Sequence, residues 1–154
     1  MSRTFTIEEA NAFVPRLAST FLRTGQLLAS VRAIARRLAA AGVHAERPGS
    51  LPSPEAVAHD PELAAELARA RMLADLAVDD ARSLEKLGIL VRDLERGLVD
   101  FRSVMDGERD VLLCWKIGER EVRFWHDGHA GFVGRQPIEG HRFFRARQLR
   151  PPPE

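Results

Sequence analysis

The sequence has a single cysteine, Cys114, no tyrosine and only two lysines, Lys86 and Lys116, in 154 residues. One thiol excludes an internal disulfide and any zinc site built on several cysteines. A reducing cytoplasm is the compartment that suits it. No run reaches the roughly 18 apolar residues that a membrane span needs, and the N-terminus lacks the basic-then-apolar pattern of a secretory signal. An excess of one charge is missing too: 23 basic and 22 acidic side chains leave +1. That is far less basic than a nucleic-acid domain usually is, so nucleic acid is not an expected partner. The length excludes a two-lobed enzyme with separate cofactor and substrate domains.

What is present is 45% hydrophobic and 29% charged residues, the balance of a soluble globular protein. Thr6-Ile7-Glu8-Glu9 reads as a capping box, with Phe5 placed to staple onto Ala10. Apolar residues then recur with helical spacing from Ala10 to about Ala41, where Gly42 ends the helix. Pro15 falls inside this run, so a kink or break is expected near Asn11–Phe13. Residues 42–60 hold two glycines and three prolines with no period and read as a mobile linker. Asp60-Pro61-Glu62 opens a second helix. Leu63, Leu67, Ala70, Ala74, Ala77, Ala81, Leu84 and Leu87 line one face of it, and Gly88 closes it.

After Gly88 the period changes to alternation. Ile89–Arg92, Leu98–Phe101, Val111–Lys116 and Val122–His126 are strand candidates, with Asp106-Gly107 as a strong turn signal. The expected fold is α+β: a long antiparallel two-helix hairpin over residues 5–88, packed with a small three- to four-stranded antiparallel sheet within residues 89–138. Residues 1–138 would form one domain. Residues 139–154 make a tail in which Arg142, Arg145, Arg147 and Arg150 alternate with Phe143 and Phe144 before a final Pro-Pro-Pro-Glu. The phenylalanines are expected to dock on the body or on a partner subunit while the arginines stay solvated, in preference to a tail that grips nucleic-acid phosphates and stacks on bases.

Four segments carry a resemblance. They are Phe5–Asn11 followed by Pro15; Gly88–Phe101 (GILVRDLERGLVDF); Leu113–Glu119 (LCWKIGE); and Phe124–Asp127 (FWHD) with Gly131–Pro137 (GFVGRQP). From about Arg3 to Ile138 the chain resembles a bacterial family called domain of unknown function 2203. It departs from that pattern at Ser103 and His129. The resemblance implies candidate positions and no reaction, since the family has no established activity.

The C-terminal half gathers the polar candidates. Asp93, Asp100, His126 and Asp127 form an oxygen- and nitrogen-rich set that suits Mn, Fe or Zn. Each also has a purely structural use: Asp93 and Asp100 can cap turns, and His126 can hydrogen-bond backbone at a strand end. Gly131 and Gly134 can bare backbone amides to an anion, with Arg135 adding a bidentate fork, or simply form a turn at positive φ. Trp115 and Trp125 either stack on a ligand or fill the core, on the same or opposite faces depending on strand register. Cys114 lies mid-strand and reads as a small buried hydrophobe.

Two functions follow as expectations. One is a non-enzymatic homodimer in which two helical hairpins pair to cover apolar surface, with a further protein partner as an option. The other is a metal- or anion-dependent enzyme or binding protein with its site in the C-terminal half.

Overall fold

A computed structural model describes residues 2–146. Three helices, α1 (Ile7–Ala12), α2 (Val14–Ala40) and α3 (Pro61–Lys86), precede six strands. The strands are β1 (Leu90–Asp93), β2 (Leu98–Met105), β3 (Arg109–Lys116), β4 (Phe124–His126), β5 (Gln136–Pro137) and β6 (Phe143–Phe144). The chain divides into two compact units, Leu22–Asp80 and the residues on either side of it. Among the described residues no helix is long and apolar enough to cross a membrane.

Local chemistry sets the helix ends. The Thr6 hydroxyl accepts from the Glu9 amide at 3.1 Å and the Glu9 carboxylate accepts from the Thr6 amide at 3.1 Å, completing the capping box. Pro15 has no N–H to continue the ladder, so the helix breaks at Phe13, whose amide donates to the Ala10 carbonyl instead. The Asp60 carboxylate caps α3 by accepting from the Glu62 and Leu63 amides.

Within Leu22–Asp80, α2 and α3 run antiparallel. Arg23 pairs with Asp80 and Arg37 with Glu66, and the two bridges are equally spaced along each helix in opposite directions. Ile34, Leu38, Leu67 and Ala70 bury against one another there. The linker departs from the mobile segment expected. Val43 and Val57 are buried in this same cluster, and Pro54–Val57 forms a 3-10 turn. A segment without periodicity still holds two valines that gain about 1.5 kcal/mol or more each from burial.

The remaining residues build the sheet, in the order β1-β2-β3-β4-β5, all antiparallel, with β6 beside β2. Six strands stand where three to four were expected. The extra two are two-residue strands, too short to leave an alternating pattern in the sequence. One face carries Val99, Phe101, Leu113, Trp115 and Trp125, which pack with Phe5, Leu17, Phe21, Leu84 and Ile89. Trp115 pairs with Val99, and Trp125 with Leu113. That register puts both tryptophans on the core face, and Trp115 stacks on Phe21 with ring centroids 6.2 Å apart.

The edge of β2 is covered piece by piece. β1 takes Leu98–Asp100, the Phe5 amide donates to the Arg102 carbonyl at 2.8 Å, and β6 takes Val104–Met105. Phe143, 8% exposed, joins the core, and the Asp106 carboxylate receives the Arg142 amide and His141. The first phenylalanine of the tail is thus docked. Arg147, Arg150 and the closing prolines lie outside the described residues.

Candidate functional site

Alternation sends the even-numbered residues of β2, β3 and β4 to the face opposite the core. Asp100 pairs with Cys114, Cys114 with Phe124, and Leu112 with His126. Asp100, Cys114 and His126 therefore converge from three neighbouring strands. Their carboxylate oxygen, Sγ and ring nitrogen lie within 4.8 Å of one another. They are 3%, 1% and 3% exposed. Burial this deep is rare for ionisable groups unless they are paired.

The pairing is specific. The Asp100 Oδ1 lies 3.0 Å from His126 Nε2, and Asp100 Oδ2 accepts from Arg92 Nε at 2.8 Å. The other ring nitrogen, Nδ1, lies 2.8 Å from the Asp127 carbonyl oxygen. A carbonyl only accepts, so Nδ1 carries the proton. A neutral imidazole then turns the lone pair of Nε2 toward the carboxylate. Burial and then the adjacent Asp100 carboxylate push the Cys114 thiol from 9.0 up to about 12, against the opposing hydrogen bond from Arg135. Such a thiol is no nucleophile by itself, because the thiolate is the reactive form.

Arg135 sits beside Cys114, with NH1 3.9 Å from Sγ. Its fork is filled by Glu119, two parallel bonds of 3.0 Å. Phe124 and Phe132 lie against the guanidinium, at 4.0 and 4.3 Å from their ring centroids. Burial alone would lower the pKa of Arg135, and the hydrogen bonds and charge attraction of Glu119 and Cys114 together raise it. Glu119 also accepts from the Lys116 amide, while its carbonyl accepts from Trp115 Nε1. Arg135 thereby locks the loop after β3 to the strand carrying the thiol.

The other sequence candidates are placed apart from the cluster's ligand atoms. Asp93 accepts from the Arg96 amide in the β1–β2 turn. Asp127 accepts from the His129 and Ala130 amides, which lower its pKa, and pairs with Arg109. Gly131 adopts φ +62 and opens a 3-10 turn at Phe132–Gly134. In that turn the Gly134 and Arg135 amides donate to the Gly131 and Phe132 carbonyls, and so are already used. A Cβ on Gly134 would fall on that of Ala130. Trp115 and Trp125 belong to the core.

Three residues were not legible as site members. Cys114 read as a small apolar residue, Arg92 entered only as the end of a strand candidate, and Arg102 lay just past the end of another. Their signal was there in the alternation: Asp100 and Arg102 share a face of β2, as Leu112 and Cys114 do on β3.

A groove runs over this face. A cavity of about 270 Å³ touches Asp100, Cys114 and His126 and is bounded by Leu98, Gly131 and Phe132. A neighbouring one of about 500 Å³ extends past Arg102 to Thr4 and Ala146. Arg92, Leu112 and Gly128 line both. A volume of this order is ordinary for a small-molecule site, roughly 300–1,000 Å³.

No curated protein and no solved structure matches the chain. Residues 3–138 do match a family model, described as an uncharacterized conserved protein (DUF2203). The motifs of the site, from the Val-Asp-Phe of β2 to the Gly-Arg before β5, all fall within that span, and the chain belongs to the DUF2203 family.

Proposed function

We propose that the protein binds a zinc or iron ion through Asp100, Cys114 and His126 and presents it to a small molecule in the groove. The observation that carries this reading is the orientation of His126. Its Nδ1 is committed to a backbone carbonyl, the usual support for a metal-bound imidazole. Its Nε2 and the Asp100 oxygen are left 3.0 Å apart with nothing but a proton or a cation to reconcile them. Bonds of about 2.0–2.1 Å from one ion to nitrogen and oxygen put those atoms roughly 3 Å apart. A sulfur ligand favours zinc or iron over manganese. Ligation also supplies what would make a thiolate of Cys114 at neutral pH. Three protein ligands leave one position open, the pattern of sites that act on a ligand rather than merely brace a fold.

The test is elemental analysis of protein made without a histidine tag, exposed to zinc or iron(II) and desalted. About one ion per chain is expected, falling below about a tenth in Cys114→Ser and His126→Ala and unchanged in Asp93→Ala and Asp127→Ala. Wild-type protein that retains no ion, or retention untouched by the first two substitutions, overturns the reading.

A second reading, pairing of two copies through the helices, has its own support. Leu22 on α2 and Met72 and Leu76 on α3 are 62%, 58% and 37% exposed, the last two one turn apart. Apolar side chains so placed gain by burial against a second copy. Sedimentation equilibrium at micromolar concentration is expected to show a dimer that Met72→Glu dissociates; monomer throughout overturns it.

A further inference from the structure

We infer that the groove beside the proposed metal centre holds the oxyanion of a small organic ligand, a carboxylate or a phosphate, on Arg102 and Arg92. Arg102 follows Asp100 by two residues on β2 and is half-buried on the same face. Its side chain lines the larger cavity and has no hydrogen bond or ion pair among the described residues. A guanidinium offers five donors and cannot lose its charge, so half-burying it unpaired is unfavourable unless a ligand meets it. Arg92 lends its Nε to Asp100, and its terminal nitrogens have no partner among the described residues. The two arginines stand on adjacent strands, Arg92 lining both cavities and Arg102 the larger one.

The remaining lining fits an organic anion rather than a bare one. Leu90 and Leu112 supply apolar wall. Asp110 also lines the cavity but is exposed and forms no ion pair with Arg102, so it leaves that charge available. Planar forks of this kind recognise carboxylate and phosphate alike. The groove then sets the order of recognition: arginines hold the anion, and the ligand's other end reaches the open position of the ion. The assignment of that second contact rests on the metal reading; the arginine contact does not.

The two are separable by experiment. Inorganic phosphate and malonate are titrated calorimetrically into the full chain at constant ionic strength, with zinc bound and after chelation. At least one of them is expected to bind in both states. Arg102→Gln should weaken it about tenfold or more, the usual loss for a charge-assisted contact. Arg36→Gln, on the exposed surface of α2, should leave binding within about twofold. Zinc content of Arg102→Gln should equal that of wild type. Binding of phosphate alone identifies a phosphate ligand, and of malonate alone a carboxylate. Normal zinc content with neither anion bound overturns this inference and spares the metal reading. Anion binding through Arg102 in a chain that takes up no ion overturns the metal reading alone. A DNA or RNA oligomer that binds through Arg102 more tightly than either small anion also overturns the inference.

Discussion

Trp115→Ala is expected to lower the midpoint of thermal unfolding by at least about 6 °C, whereas Cys114→Ser, one residue away, should abolish ion uptake with a much smaller loss of stability. The contrast follows from the pleat. Trp115 is 0% exposed and packs against Phe21 and Val99 on the helix-covered face. Removing a buried indole costs about 3–5 kcal/mol through lost transfer energy and the cavity left behind. In a chain of this size each kcal/mol moves the midpoint by about 2–4 °C. Cys114 faces the other way, and a serine hydroxyl there can hydrogen-bond to Asp100 or accept from Arg135. Circular dichroism melts and elemental analysis of the two variants check both halves. A Cys114→Ser protein as unstable as Trp115→Ala would mean that the thiol is a packing element and little else.

Glu119→Met should cost about 2–3 kcal/mol, and adding Arg135→Met to it should recover part of that loss. The bridge is mostly buried, with 16% and 21% of the two side chains exposed. Taking away the carboxylate strands a guanidinium between Phe124 and Phe132 and frees the Lys116 amide. Taking away both charges leaves an apolar pair in an aromatic slot, the situation in which buried bridges prove replaceable. Denaturant titration of the two single variants and the double one measures the coupling. Simple additivity would show that Arg135 and Glu119 stabilise the chain independently of each other.

Much of the fold could be read from neighbours in sequence. The capping box at Thr6, the break before Pro15, the Asp60-Pro61 start and the apolar face of α3 each depend on residues a few positions apart. So does the Asp106-Gly107 turn, where Asp106 takes φ +56. The site depends on something else. Asp100, Cys114 and His126 meet only because β2, β3 and β4 pair in one register, and a shift of one residue would have turned Cys114 to the core and Trp115 to the groove. Composition marked Asp93 and Asp127 as equal candidates, yet each is used by amides two or three residues away. Arg135 was legible as an important fork, but its partner, Glu119, lies in the β3–β4 connection, and no local rule links the two.

The covering of β2 bears on how copies of this chain behave toward each other. An open strand edge is a template for another chain's backbone, and among the described residues β1, Phe5 and β6 cover that of β2. Among the described residues, its last two are shielded by Phe143 and Phe144, held through Asp106. A chain shortened before His141 would uncover the apolar Val104 and Met105 and free the Asp106 amide, which donates to the Arg142 carbonyl, beside a sheet already formed. Two such chains would satisfy one another by strand exchange. Association seen only in a shortened chain would therefore report that exposed template and say nothing of the helices.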